Sequence, residues 1–316
     1  MNGFTWKDGE RTIRFGRGCA ATAEELLGTG YLLLTTKRAR GTLPAVEQAA
    51  EEVIDVPAGF VDEIAADLLP RVEARGGSLV ALGGGRVIDT GKALAAATGR
   101  AVAAIPTTLS AAEMTWLHRQ VKGLQPAPAQ VRPRVVINDL AICASQPADE
   151  LAASAGNSLG HAVEAPLTTL ASPVPTLAAR EAARLIDAAY ATGGEPDRDA
   201  LALAALLSGY AIDAAWYGLH HVMSQTLVRL GGCGHGQANS GLLPHTMRAL
   251  ERRGFELVAP IELAEKLAAL AGTTSLGLDD TAIERCAEAA AQRPELDNTP
   301  PPADEAELTA IYCAAV

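Results

Sequence analysis

Aromatic side chains are scarce: Phe, Tyr and Trp make up 4% of the 316 residues. Cores with so few rings must be closed by Ala, Leu and Val, with helices packed at short range. Long apolar runs are also missing. No stretch approaches the roughly 20 uncharged apolar residues needed to span a bilayer. The start, MNGFTWKDGERTIRF, is polar and charged where a secretory leader would be apolar. There is no dense basic run, and 26 Lys and Arg against 37 Asp and Glu leave a net charge of −11. Nucleic acid and anionic membranes are therefore poor partners. The five cysteines (Cys19, Cys143, Cys233, Cys286 and Cys313) show no CxxC spacing. That usage suits a reducing compartment, so the expected location is the cytoplasm.

What is present falls into two halves. The first alternates short apolar runs with helical stretches. YLLLTT (31–36), SLVALGGG (78–85), AVAAIPTT (101–108) and RVVIND (134–139) read as buried parallel strands ending in small or polar residues. ATAEELLGTG, PAVEQAAEEV, GFVDEIAADLLPRVEARGG and VIDTGKALAAATG between them carry helical spacing. The alternation predicts an α/β domain, a doubly wound and mostly parallel sheet, over 1–146. Beyond it the strands stop, and an all-α domain is expected over 147–316. DALALAALLSGYAIDAAWYGLHHVMSQTLVRL reads as one helical stretch, and PELDNTPPPADEAEL as a loop before a last helix.

LGGGRVIDTGK (82–92) leaves a strand and opens a helix. Glycines there let backbone approach a pyrophosphate, and the helix N-terminus offers unpaired N–H groups. A tight turn explains them equally well, because GxGxxG is absent. Asp89 and Lys92, three apart, read either as a surface ion pair or as part of a cofactor site. In AIPTTLSAAEMT (104–115), Thr107, Thr108, Ser110 and Thr115 can donate to a nucleotide or simply cap a helix. Many dinucleotide sites place an acid after the first strand to hold a ribose hydroxyl. Here Thr36 stands there, followed by Lys37, Arg38 and Arg40, which favours NADPH. An exposed basic loop is the alternative.

Four of the six histidines lie in two glycine-flanked neighbourhoods. GNSLGHAVEA carries Asn157 and His161 one helical turn apart, so both leave one face. GLHHV carries His220 and His221, and GHG carries His235. An amide and three histidines from separate segments can grip a divalent metal or a small oxyanion.

Taken in order, these segments resemble the iron-containing alcohol dehydrogenase superfamily, and look most like its maleylacetate reductase branch. The resemblance spans roughly residues 8 to 248. It rests on PTTLSAAEMT, on VRPRVVINDLAICASQPADELAASAGNSLGHAVEA, on the paired histidines of GLHH, and on LLLTTK without a following acid. It implies a dehydroquinate-synthase-like architecture, NAD(P)H-dependent chemistry and a homodimer. For the branch it implies reduction of maleylacetate to 3-oxoadipate in aromatic degradation. Carried over by position, Gly84, Gly85, Arg86 and Asp89 fall at the pyrophosphate turn, and Thr107 and Thr115 on the nicotinamide side. Asn157, His161, His221 and His235 fall at the parent family's metal-ligand positions, where iron or zinc would sit. Gln225 stands where the family usually carries a further His, and Gly234 where it usually carries Pro.

A neutral Asn is a poor substitute for a carboxylate ligand. The expectation is therefore a site without a tightly bound metal, in which His161, His221 and His235 bind the substrate carboxylate or polarise its carbonyl. His220 or His235 would then supply the proton. Two other readings stay open. One is a metal-dependent alcohol or polyol dehydrogenase; the other is a non-catalytic descendant that binds nucleotide.

Overall fold

The dipeptide Asp8–Gly9 turns the chain back on itself, with Gly9 at φ 61°, and pairs β1 (Phe4–Asp8) antiparallel with β2 (Arg11–Gly16). The computed structural model describes residues 3–191 and 193–316. It divides into two units, Met1–Ser145 and Gln146–Val316.

In the first unit β3 (Tyr31–Thr35), β4 (Ala50–Asp55), β5 (Leu79–Gly83), β6 (Val102–Pro106) and β7 (Val135–Asp139) follow the hairpin. The sheet order is β1-β2-β7-β6-β5-β3-β4, and every neighbouring pair except β1 with β2 is parallel. Helices α1 (Glu24–Leu27), α2 (Pro44–Ala49), α3 (Val61–Glu73) and α4 (Gly85–Thr98) cover its faces. Because side chains alternate along a strand, two cores form. Leu32, Leu34, Leu79 and Ala81 face Ile64, Val72, Val87 and Ile88 on one side. Tyr31, Leu33, Val80 and Leu82 face Ala20, Ala23 and Val46 on the other.

Two elements differ from the sequence reading. The run expected to be a single helix at PAVEQAAEEV ends at Ala49 and becomes the edge strand β4. Its glutamates look helical in isolation, but charge on an edge strand also keeps other chains from pairing there. The β1–β2 hairpin was not anticipated, although Asp-Gly between alternating residues announces one.

The second unit is helical among the described residues: α5 (Ala148–Glu164), α6 (Pro173–Tyr190), α7 (Arg198–Ala215), α8 (Leu219–Leu230), α9 (His235–Arg252), α10 (Ile261–Leu270), α11 (Asp280–Ala291) and α12 (Glu305–Ala314). Helix α5 packs against α6, α7, α8, α9 and α10. Its Ala152, Ala155, Gly156 and Gly160 keep those axes close, which is how a core with few aromatics closes. The stretch read as one long helix breaks at Trp216, whose φ of 61° ends α7, and α8 leaves at 101° to it. That corner places two histidines in the first turn of α8. No single helix among the described residues is long and apolar enough to cross a membrane.

Candidate active site

In the first unit the strand order reverses direction between β3 and β5, and ligands of open parallel sheets bind beyond the carboxyl ends of strands at such a point. Of the expected cofactor residues, Gly84, Gly85, Thr107 and Thr108 come together there. Helix α4 starts at Gly85, and no side chain caps its N-terminus, where a helix has N–H groups without intrahelical partners. The glycines have a second reason as well. A Cβ on Gly84 would come 3.0 Å from Thr108 Cγ2, and one on Gly85 would come 3.0 Å from Ser110 Cβ. They therefore let the loop after β6 lie directly on the turn, bringing Thr108 beside Gly84. The backbone N–H of Thr107 donates to Gly83 O at 3.0 Å and joins the two loops. Arg86 is exposed.

Asp89 and Lys92 are not a surface pair. Lys92 is fully buried. Its Nζ lies 2.8 Å from Asp89 Oδ1 and donates to Ala112 O at 3.0 Å, Leu117 O at 2.8 Å and Thr115 Oγ1 at 3.3 Å. One ammonium thus ties α4 to the loop that carries Thr115. Glu113, in the same loop, is buried, and Asn138 Nδ2 donates to its Oε1 at 3.5 Å. Burial is the main reason its carboxyl rises from 4.5 to about 7. Thr36 uses its hydroxyl locally, accepting from the Ala39 N–H at 3.3 Å. Arg40, one of the basic residues behind it, pairs with Asp55 at 3.0 Å, so an acid from the neighbouring strand already offsets part of that loop's charge.

In the second unit Asn157, His161 and Glu164 share one face of α5 at spacings of four and three. Opposite them α8 presents His220 and His221. The rings of His161 and His221 stack with centroids 4.7 Å apart. His220 lies edge-on to His221 at 4.9 Å, and Tyr217 lies edge-on to it at 6.1 Å. Gly160 permits this closeness, because a Cβ there would sit 2.8 Å from His220 Nε2. His220 Nδ1 pairs with Thr246 Oγ1 at 3.0 Å. The structure therefore brings Asn157, His161, His220 and His221 together. His235 opens α9, where it is exposed, and its charge is felt by His161 and His220.

Several of these polar atoms are unsatisfied. Asn157 Oδ1 and Nδ2, His161 Nδ1, His220 Nε2 and His221 Nε2 are buried with no hydrogen-bond partner in the structure. Buried polar groups are nearly always paired, so such a cluster marks a place for something outside the chain. Burial first, then the rings of His221, His235 and His220, hold the His161 imidazole well below its ordinary pKa. Burial first and then His221 do the same for His220, against an opposing side-chain hydrogen bond with Asn239. Both rings are neutral near pH 7, each with one donor and one acceptor nitrogen.

Glu164 is the residue the sequence reading missed. Its Oε1 accepts the backbone N–H of His220 at 2.7 Å, and its Oε2 meets His221 Nδ1 at 2.6 Å. A glutamate at a helix end normally reads as solvated; the available signal was its place one turn after His161. Gln225, at the position of the family's extra His, accepts from Arg293 at 3.3 Å, and Arg293 also reaches Tyr217 Oη at 3.0 Å.

As a cation cage the donor set is short of charge. Asn157 offers a neutral amide and Glu164 spends both oxygens on α8. Among the described residues no three His, Cys, Asp or Glu side chains converge at ligand spacing. Three imidazoles and an amide remain as donors, so a divalent cation here would be held without a carboxylate ligand.

Two family models match the chain. "Iron-containing alcohol dehydrogenase" matches residues 34–147, and "Fe-containing alcohol dehydrogenase family, C-terminal" matches residues 151–258. The chain is 27% identical to maleylacetate reductase of Rhizobium sp. (strain MTP-10005), covering 93% of both. It is 36% identical to 1,3-propanediol dehydrogenase of Klebsiella pneumoniae over 52% of this chain, but spans only 42% of that protein. The crystal structure of maleylacetate reductase from Agrobacterium tumefaciens superposes with a TM-score of 0.83 at 25% identity, covering 100% of this chain and 98% of that one. The iron in the family's name gives the metal-free expectation no support. With both halves matched and the fold shared throughout, the chain belongs to the iron-containing alcohol dehydrogenase superfamily and is similar along its length to the maleylacetate reductase branch.

Proposed function

We propose that this protein is an NAD(P)H-dependent reductase of a small oxo acid of the maleylacetate type. One observation carries the reading: the unpartnered buried polar atoms of Asn157, His161 and His221 belong to one cluster, in which the His161 and His221 rings stack. A structural cluster would satisfy itself; a site for an oxygen-rich substrate would not. The likeness to maleylacetate reductases along nearly the whole chain supports the substrate class.

A nicotinamide cofactor held at the α4 turn with Thr107, Thr108 and Thr115 would supply a hydride to the carbon–carbon double bond conjugated to the ketone. Negative charge then develops on the ketone oxygen, and a proton completes the product. His161 and His235 gather the substrate's oxygens, with His221 beside them in the cluster, and fixed donors aimed at the developing charge lower the barrier. His220, neutral and bound to Thr246, holds the adjoining rings in place, which leaves His235 as the proton source of the two first considered. The open N-terminus of α4, with Thr107, Thr108 and Thr115, supports nucleotide binding at the sheet. The basic residues around Thr36 favour NADPH, although Asp55 narrows that preference. The free cysteines support a cytoplasmic setting, and a homodimer goes with the family.

The neutral amide at 157 supports catalysis without a tightly held metal. The match to 1,3-propanediol dehydrogenase supports the other reading, a metal-dependent alcohol dehydrogenase. Metal analysis of protein purified without chelator decides between them. Oxidation of NADPH or NADH on adding maleylacetate, with well under one metal per chain, is the expected result. One equivalent per chain, with activity lost on stripping, favours the dehydrogenase. Binding of nucleotide with no turnover of either substrate class favours a non-catalytic descendant.

A further inference from the structure

We infer that Glu164 is a positioning residue that fixes the tautomer of His221, so that Nδ1 carries the ring proton and Nε2 is presented to the site as an acceptor. The inference deepens the reading of the histidine cluster as the substrate end and rests on it.

Helix α8 begins after Gly218 with no side-chain cap of its own, so its first-turn N–H groups need partners from elsewhere. Glu164 is 1% exposed and supplies one from the end of α5. Its Oε1 takes the His220 N–H at 2.7 Å, and its Oε2 takes His221 Nδ1 at 2.6 Å. A carboxylate at a helix N-terminus is also favoured by the helix dipole. An ionised carboxylate only accepts, so the nitrogen facing it must hold a proton. In the neutral ring the remaining lone pair is then on Nε2, which is buried and unpartnered. A histidine held from behind by a carboxylate is a recurrent way of orienting an imidazole toward what it binds.

The consequence narrows the roles in the cluster. Carbonyl and carboxylate oxygens bring no hydrogen for Nε2 to accept. They fall to His161 and His235, while His221 receives a hydroxyl hydrogen, as of an enol or alcohol.

The test uses the whole protein labelled with 15N in its histidines, with no substrate or nucleotide added. The ring shifts of His221, assigned by loss of its signals in His221→Gln, should show Nδ1 protonated and Nε2 bare near neutral pH. In Glu164→Gln the backbone N–H of His220 can only donate, so it claims the amide oxygen. The amide NH2 then faces His221 Nδ1 and drives the ring proton to Nε2. The expected signature is an inverted tautomer, with kcat down roughly 10–100-fold and KM for the nicotinamide unchanged. Glu164→Asp keeps the charge and should retain the native tautomer. A native His221 carrying its proton on Nε2, or on both nitrogens, overturns the inference, and so does a folded Glu164→Gln that keeps Nδ1–H. If Glu164→Gln does not fold, the native spectrum still decides. Because these shifts are read without substrate, failure to reduce maleylacetate leaves the result standing.

Discussion

Two buried polar clusters in this molecule are built on opposite principles. Around Lys92 the protein completes itself: an ammonium with no exposure meets a carboxylate, two carbonyls and a hydroxyl. Around His161 and His221 it stops short, and both polar atoms of the Asn157 amide and three ring nitrogens are left without partners. Desolvation costs apply to both. At the ammonium the first cluster recovers them within the fold and so acts as scaffold, setting the loop that carries Thr115, while Asp89 Oδ1 has only the ion pair and Glu113 Oε2 no hydrogen bond. The second recovers them only when something enters. A satisfied cluster should be costly to cut, and an unsatisfied one cheap, or even favourable, to replace.

The largest effect should come from cutting the scaffold. Lys92→Met leaves the half-buried Asp89 without its counter-charge and the Ala112 and Leu117 carbonyls without their donor, and should cost about 2–4 kcal/mol, read as a lower denaturant midpoint. A loss below about 1 kcal/mol would erase the contrast, since that is what an exposed ion pair is worth.

Glu113 sharpens the same side through pH. Its folded pKa is raised, from 4.5 to about 7, so the folded chain holds a proton that the unfolded chain releases. Its contribution is complete below the unfolded value and is lost as pH rises through the folded one, a decline of about 3 kcal/mol. Comparing unfolding of the native protein and Glu113→Gln from pH 5 to 8 should show this decline only in the native protein. Parallel curves would remove Glu113 from the account.

On the other side the sign should reverse. Asn157→Leu takes away two unpaired buried polar atoms and should raise stability by about 1–2 kcal/mol while abolishing most reductase activity. Destabilisation of similar size would mean that the amide is satisfied within the fold. Gln225→His should change least. The new ring meets Arg293 rather than the histidine cluster, so stability should shift by under about 1 kcal/mol and kcat only slightly. A large gain in turnover would mark the present protein as a decayed form of its family.

Much of the first unit was legible because parallel strands buried on both faces write themselves as apolar runs, and YLLLTT and AVAAIPTT do so. β4 was not, because Glu51 and Glu52, directly after the helical PAVEQA, give an edge strand the look of a helix. The histidines were legible as a set through their flanking glycines and the spacing of Asn157 to His161. Their state was not. Sequence gives no measure of burial, so it left Lys92 open between a surface pair and a cofactor site and gave no sign of Glu164, though both are enclosed. The break at Trp216 lies in an unbroken helical pattern with no proline at the corner; only tertiary packing shows why α8 turns and delivers His220 and His221 to α5.

The central claim is that the unsatisfied cluster serves reduction of an oxo acid by a nicotinamide bound at the sheet. It is tested most directly by titrating the protein with NADPH and NADH under nicotinamide fluorescence and then adding maleylacetate. The account predicts saturable binding followed by stoichiometric oxidation of the cofactor. Failure of both nucleotides to bind would contradict it.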